Sequence, residues 1–200
     1  MDFFEDNSID PDQPKELIIK RGITEIEPDA FRECNSLKKI TLPDGLETIG
    51  PRAFQECQNL DYIEIPDTVT YLGREAFLLC SKLKYVKLSK GLKSISGAAF
   101  ENCASLESIC IPEGVETIDW YAFNFCRRLK MIMIPNSLKD ISPMVSYEFP
   151  VKLVAMDDNP VIEEAVKNGA EIETVLIRPD YDKDLGGLAE KTFVLDGRLF

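Results

Sequence analysis

The stretch LETIGPRAFQEC, residues 46–57, decides the fold because versions of it recur at a fixed interval along the chain. A phenylalanine returns every 23 residues, and a cysteine follows three positions after each one. The repeated residues are Phe31, Phe54, Phe77, Phe100 and Phe123, with Cys34, Cys57, Cys80, Cys103 and Cys126. Self-similarity at such a period indicates a solenoid built from stacked repeats.

Each unit also contains a short apolar strand. In LKKITLP, residues 37–43, Ile40 and Leu42 alternate with polar neighbours, and Pro43 then ends the strand because proline has no N–H for further pairing. The same pattern recurs in the next four units, with Ser89 as the one departure from proline. About 23 residues cannot close a core alone, so the units are expected to stack with their strands parallel and about 4.8 Å apart.

The whole unit, L-x-x-I-x-I-P-x-x-V-x-x-I-x-x-x-A-F-x-x-C, resembles the leucine-rich repeats, and within them the BspA-like branch with its IGxxAFxxC second half. The resemblance covers about residues 17–174. It implies a mainly β repeat solenoid, a right-handed α/β-type superhelix with a parallel inner sheet and irregular or short-strand segments opposite. In place of the asparagine ladder of ordinary leucine-rich repeats, the chain has Gly45, Thr68, Gly91, Gly114 and Ser137.

The ends of the chain depart from the repeat and suggest four parts. Residues 1–14 form an acidic tail with five acids and no base, and residues 15–156 form a solenoid of about five full repeats with partial ends. NPVIEEAVKNG, residues 159–169, indicates a capping helix within a C-terminal cap over 157–177, because asparagine and proline favour its start and glycine its end. Residues 178–200 form a tail that is either mobile or folded back.

The composition argues against catalysis and against nucleic-acid binding. The chain has no histidine, which removes the commonest general base and metal ligand, and it shows no nucleophile elbow or phosphate loop. A formal net charge of −12 disfavours a phosphate-backbone footprint. We therefore predict a protein that is not an enzyme, binds no nucleic acid, and has no metal site or cofactor.

The five repeated cysteines are predicted to be structural. Their side chains point the same way into the core, the spacing C-x-x-C does not occur, and parallel side chains on adjacent coils have poor geometry for a disulfide. Each one then acts as a small buried apolar residue. Cys110 differs because it lies at an outward strand position between Ile109 and Ile111, where an exposed thiol is expected. A free thiol there favours a reducing compartment.

The outward residues of the inner sheet provide the main candidate binding surface. Their two predicted columns are Glu16, Lys39, Tyr62, Tyr85, Ser108 and Met131, and Ile18, Thr41, Glu64, Lys87, Cys110 and Met133. Exposed tyrosine and methionine are typical of interfaces. The predicted partner-binding residues, with two lysines at the polar margin, are Tyr62, Tyr85, Met131, Met133, Lys39 and Lys87. The alternative for the tyrosines is cross-strand packing that only stabilises the sheet.

A second apolar surface is predicted where WYAFNFCRR, residues 120–128, departs from the other repeats. Phe123 belongs to the phenylalanine ladder, but the other aromatic residues occupy positions that are mostly polar or small elsewhere. This apolar ridge consists of Trp120, Tyr121, Phe125, Leu78 and Leu79. We expect either the C-terminal tail, which is favoured, or another molecule such as a second copy to cover it.

These features predict a non-catalytic protein–protein interaction module that binds a partner through its inner sheet face. The resemblance implies a cell-surface adhesin or antigen that binds host proteins as one alternative, and a regulatory or targeting subunit of an enzyme complex is another. The sequence shows no signal peptide and no apolar run of about 18 residues, which predicts a soluble, cytoplasmic protein without membrane insertion. An extracellular or cell-surface location is expected instead if the sequence is a trimmed piece.

Overall fold

The computed structural model describes residues 15–142, 144–145, 151–155, 172–176, 194–195 and 198–199. The predicted acidic tail over 1–14 and the predicted capping helix over 159–169 lie outside these residues, as does most of the predicted tail over 178–200. These parts of the domain scheme stay predictions.

The inner side of the solenoid is a succession of parallel strands, one from each coil. The first four, which pair in this order, are β1 (Lys15–Ile18), β3 (Leu37–Thr41), β5 (Tyr62–Glu64) and β7 (Tyr85–Lys87). The next four, also paired in this order, are β9 (Ser108–Cys110), β11 (Met131–Ile134), β13 (Val151–Ala155) and β14 (Ile172–Leu176). The parallel inner sheet expected from the spacing is therefore confirmed, although it is divided between β7 and β9.

A second set of parallel strands, each two residues long, lies on the other limb of the coils. These strands are β2 (Glu25–Ile26), β4 (Thr48–Ile49), β6 (Tyr71–Leu72), β8 (Ser94–Ile95), β10 (Thr117–Ile118) and β12 (Asp140–Ile141). They pair as β2–β4–β6 and β8–β10–β12. Farther along the chain, β15 (Val194–Leu195) and β16 (Arg198–Leu199) form an antiparallel pair.

The repeated apolar positions form one continuous core. The five ladder phenylalanines stack on one another, with ring centroids 5.2–5.7 Å apart and interplanar angles of 3–5°. Phe54, Phe77, Phe100 and Phe123 are fully buried, and Phe31 at the N-terminal end is 3% exposed. Burial of one such side chain contributes about 1.5–3 kcal/mol, so this stack is a principal source of cohesion between coils.

The repeated cysteines form a second buried ladder. Four thiols each donate a hydrogen bond to the carbonyl oxygen of the phenylalanine 26 residues earlier, at sulfur–oxygen distances of 3.0–3.3 Å. Burial raises the pKa of Cys57 and Cys126 to about 12, and it raises the pKa of Cys80 and Cys103 well above the ordinary value. These four residues are buried as expected, whereas Cys34 at the N-terminal end is half-buried; all six cysteines are free.

The turns that connect each second strand to the next inner strand use left-handed backbone at two positions per repeat. The first set, with φ of 55–61°, is Asp29, Arg52, Glu75, Ala98 and Tyr121. The second set, with φ of 56–63°, is Glu33, Glu56, Leu79, Asn102 and Phe125. Most of these residue types avoid this conformation. Hydrogen bonds to the next coil hold it, as from Arg52 N to Arg74 O at 3.0 Å and from Glu56 N to Leu78 O at 2.8 Å.

Hydroxyl groups take the place of the missing asparagine ladder at two coils. The Thr68 hydroxyl accepts a hydrogen bond from Gly45 N at 3.2 Å and donates one to Leu46 O at 2.6 Å. Ser137 makes the equivalent bonds with Gly114 N at 2.9 Å and Val115 O at 2.8 Å. The side chains that replace asparagine therefore satisfy backbone groups of the preceding coil.

Ion pairs on the surface join residues that are 23 positions apart. Five such pairs are Glu16–Lys39, Asp29–Arg52, Asp61–Lys84, Glu64–Lys87 and Glu116–Lys139, with nitrogen–oxygen distances of 2.8–3.9 Å. The hydrogen-bonded Arg52 guanidinium lowers the pKa of Asp29, and Lys139 lowers that of Glu116. Exposed pairs of this kind contribute little stability each, but all five favour the same register between coils.

Candidate partner-binding surfaces

The inner sheet arranges its outward residues in the two columns that the spacing predicts. Directly opposed pairs on adjacent strands are Lys39 and Tyr62, Tyr62 and Tyr85, Glu64 and Lys87, Ser108 and Met131, and Cys110 and Met133. All six predicted partner-binding residues therefore lie on one face of the inner strands. They form two groups, one on β3, β5 and β7 and the other on β11, with β9 between them.

The environments of the two predicted tyrosines differ. Tyr62 is half-buried, and the Lys39 ammonium lies 5.6 Å from its ring centroid and 3.9 Å from the Glu16 carboxylate. The Tyr62 hydroxyl, and after it Glu16, raises the pKa of Lys39 above its ordinary value. Tyr85 is 44% exposed. Cross-strand packing therefore accounts for much of the Tyr62 surface, whereas a large part of Tyr85 is available to a partner.

A channel over β9, here termed the trench, separates the two groups of outward residues. Its floor is formed by the small side chains Ser108 and Cys110, and its walls by Tyr85 and Lys87 on one side and Met131 and Met133 on the other. Its volume is about 490 Å³. Cys110 is exposed as expected, but partial burial of its thiol and the nearby Glu113 raise the pKa above the ordinary value, so the thiol is neutral near pH 7. The trench coincides with the division of the inner sheet between β7 and β9.

The wall of the trench on the β7 side belongs to the most basic stretch of this acidic chain. Residues 81–100 contain five lysines and no acidic residue, although the net charge of the chain is −12. Lys84, Lys87 and Lys90 line the trench, together with one acidic residue, Glu107. The Glu107 carboxylate is 2.5 Å from an Arg128 guanidinium nitrogen, so its charge is already paired.

The apolar ridge is partly covered by the chain itself. The Trp120 indole packs against Tyr121 in an edge-on arrangement, with centroids 5.2 Å apart, and the Arg74 guanidinium lies 4.4 Å from the indole centroid. Arg74 belongs to the coil two before that of Trp120, and Gly97 occupies the equivalent position between them. A Cβ added at Gly97 would lie 3.2 Å from Cε2 of Trp120, so this glycine provides room for the indole.

The other ridge residues are half-buried, as are Met131 and Met133 in the walls of the trench. Leu78, Leu79, Tyr121 and Phe125 are all half-buried, and Trp120 is 41% exposed. The contact of the Arg74 guanidinium with the Trp120 indole was not predicted from the sequence. The tail that was predicted to cover the ridge lies largely outside the described residues, so that prediction stays untested.

Comparison with known proteins identifies the repeat. The sequence model of the BspA type leucine rich repeat region matches residues 11–118 in six copies. The comparison with curated proteins found no match. The family and fold are repeat scaffolds that are typically non-catalytic.

Solved structures of bacterial leucine-rich repeat proteins share the fold. One from T. pallidum matches with a TM-score of 0.60 at 22% identity, over 79% of this chain and 85% of that protein. One from Eubacterium ventriosum has a TM-score of 0.59 at 28% identity, over 62% of this chain and 34% of that protein. A leucine-rich cell surface protein from Faecalibacterium prausnitzii has a TM-score of 0.49 at 20% identity, over 74% of this chain and 61% of that protein.

The cytoplasmic location predicted from the sequence is supported by no finding and stays a prediction. No helix long and apolar enough to cross a membrane occurs within the described part of the chain.

Proposed function

This chain belongs to the BspA-type leucine-rich repeat family, and from that premise we propose that it is a non-catalytic module that binds a partner protein through the outward face of its inner sheet. A role in protein interaction fits the family. The choice of face, and of the residues on it, is our proposal.

One observation carries the proposal: four of the six residues predicted to bind a partner surround a single channel. Tyr85, Lys87, Met131 and Met133 come from two coils that are not adjacent, yet they form the two walls of the trench. Tyr85 is exposed, and Met131 and Met133 are half-buried. Tyrosine and methionine beside a concave apolar surface are typical of the central part of a protein interface. The same columns on the N-terminal coils contain ion pairs such as Glu16–Lys39, which suits a polar margin.

The apolar ridge is the weaker candidate for a partner site. Its one large exposed aromatic side chain, Trp120, already packs under Arg74, and the other ridge residues are half-buried. A partner would have to displace a cation–π contact before it reached the indole. Among the described residues, no cation–π contact involves Tyr85, which is 44% exposed.

The proposal is tested by affinity capture with two matched triple variants. The inner-face variant carries Tyr62→Asp, Tyr85→Asp and Met131→Asp. The control carries Tyr71→Asp, Ser94→Asp and Thr117→Asp on the second set of strands, where Tyr71 is the most exposed aromatic side chain of the described residues. Each variant gains three negative charges on an outward face, so circular dichroism first establishes that both are folded.

We expect a partner captured by the wild type and the control to be lost by the inner-face variant. Capture of the same partner by all three proteins contradicts an inner-face site, and the apolar ridge would then be the next candidate site. Proteins from the source cells and from host matrix are offered separately. A matrix protein as partner favours the adhesin or antigen alternative, whereas an enzyme among the source-cell proteins favours the regulatory or targeting subunit.

A further inference from the structure

We propose that the trench binds an extended segment of the partner protein in which apolar anchor residues are flanked by acidic residues. This inference rests on the proposed inner-face function and adds the chemistry of the partner. It follows from the shape of the trench, from its apolar lining and from the charge of its rim.

The shape of the trench results from a change of side-chain size along the columns. Ser108 lies between Tyr85 and Met131 in one column, and Cys110 lies between Lys87 and Met133 in the other. Small side chains on one strand between larger ones on both neighbours leave a channel that runs along β9. Its walls stand on strands two positions apart in the sheet, which corresponds to roughly 10 Å and gives space for one extended chain.

The lining favours apolar anchors. Met131 and Met133 form one wall, the Tyr85 ring contributes to the other, and the neutral Cys110 thiol lies on the floor. Methionine side chains adapt to partners of different shape because they are unbranched and polarisable. In an extended segment, residues i and i+2 point to the same side, so two apolar residues separated by one position can enter the trench together.

The rim favours acidic residues on either side of those anchors. Lys84 and Lys90 precede and follow β7, with Lys87 between them, and all three line the trench. The ammonium groups of Lys84 and Lys87 lie 3.9 and 3.7 Å from the half-buried Asp61 and the exposed Glu64. A carboxylate of the partner can replace these loose pairs at little cost. A basic rim on a chain of net charge −12 selects an acidic segment locally while the rest of the surface repels it.

The test uses three synthetic peptides that differ only in the flanking charge. All contain Leu-Ser-Phe at the centre, flanked on each side by two glutamates, two serines or two lysines, and each has a fluorescent label for anisotropy. We expect the glutamate peptide to bind more tightly than the serine peptide and the lysine peptide to bind least. Raising the salt concentration is expected to weaken binding of the glutamate peptide most, because its ionic contacts with the rim are exposed to solvent.

Three protein variants locate the binding site. Ser108→Tyr fills the floor with a side chain that already occurs in the same column at Tyr62 and Tyr85, and we expect it to weaken binding at least about tenfold by excluding the anchors. Thr41→Tyr adds the same ring on the same face three strands away and is the matched control. The double variant Lys87→Gln with Lys90→Gln is expected to bind the glutamate peptide about fivefold more weakly, whereas its affinity for the serine peptide should change little.

Several outcomes overturn this inference. They are the absence of binding by the glutamate peptide at millimolar concentration, equal binding of all three peptides, and equal weakening by Ser108→Tyr and Thr41→Tyr. Binding of decanoate to the wild type, with loss in Ser108→Tyr and no peptide binding, assigns the trench to a small amphiphile instead. If the captured partner is lost by the inner-face triple variant but kept by Ser108→Tyr, the trench assignment fails while the proposed function stands.

Discussion

The two sides of the inner strands follow opposite rules. On the buried side, leucine, isoleucine or valine recurs at the same positions in each coil, and these residues pack in one core with the evenly spaced phenylalanine rings of the turns. On the exposed side, neighbouring coils never present the same pair of residues: Tyr62 and Glu64 give way to Tyr85 and Lys87, and these to small side chains. Cohesion between coils depends on repeated identity, whereas recognition of a partner depends on local difference. The two kinds of residue should therefore respond differently to the same substitution.

The largest difference is expected from an aspartate placed on either side of the sheet. Phe77→Asp puts an unpaired carboxylate in the middle of the fully buried ring stack, and we expect loss of cooperative folding. Tyr85→Asp introduces the same charge at an outward position and should change the free energy of unfolding by about 0.5 kcal/mol or less. Thermal denaturation followed by circular dichroism compares the two. A wild-type melting curve for Phe77→Asp would show that the assigned core register is wrong.

A smaller but still large effect is expected where coils approach each other most closely. A Cβ added at Gly73 would lie 2.3 Å from the backbone nitrogen of Pro51 in the preceding coil, so one coil must shift to accept alanine. We expect Gly73→Ala to destabilise the protein by about 3 kcal/mol in urea denaturation. Ser96→Ala is the control, since this equivalent position one coil later already has a Cβ. It loses only the hydroxyl hydrogen bond to Leu72 O, at a cost of about 1 kcal/mol.

Alkaline pH distinguishes a buried thiol from an exposed one. Cys57 has a pKa of about 12 in the folded protein, against an ordinary value of 9.0, so the unfolded chain loses this proton first. Stability is therefore retained below about pH 9 and falls as pH rises toward about 12, by about 1.4 kcal/mol per pH unit for each such thiol. Cys57→Ala should reduce that slope by about this amount, whereas Cys110→Ala should reduce it less. Equal slopes for the two variants in urea denaturation at several pH values would contradict the difference in burial.

The smallest effect concerns the ridge, where an outward residue behaves partly like a core residue. Arg74→Ala removes the guanidinium from the Trp120 indole and should cost about 1 kcal/mol or less. Because Trp120 is the single tryptophan, its fluorescence reports the change directly, and acrylamide should quench it more strongly. Arg32→Ala removes an exposed arginine from a distant coil and serves as the control. If both variants are quenched equally, Arg74 does not cover the indole in solution.

The sequence was sufficient to predict the coil, the core and the outward columns. Each buried position repeats several times, so a single departure such as Ser89 does not obscure the period. The same period assigns side-chain direction, because alternation along a strand separates Ile63 from Tyr62 and Glu64. This is why Tyr62 and Tyr85 were correctly expected on adjacent strands, even though their different exposure was not foreseen.

Three features of the structure could not be predicted from the repeat period, because they depend on backbone geometry or on contacts between specific side chains. The division of the sheet between β7 and β9 is a matter of hydrogen-bond geometry, and only the small residues Ser108 and Cys110 hint at a channel there. The left-handed turn positions have no common residue type, because bonds to the next coil impose the conformation. The contact between Arg74 and Trp120 spans two coils, and Gly97 at the equivalent position between them was its one signal.

The ion pairs that join positions 23 apart have a consequence for how such a gene can change. Each of these charged residues forms an ion pair with a residue one coil away. After an in-frame duplication or loss of one whole repeat, most side chains therefore still have an equivalent partner in the adjacent coil. An insertion of one residue within a strand turns the buried residues beyond it outward. Recombination between repeats can therefore lengthen or shorten the protein in whole coils, and each added coil brings two new outward positions on which selection can act.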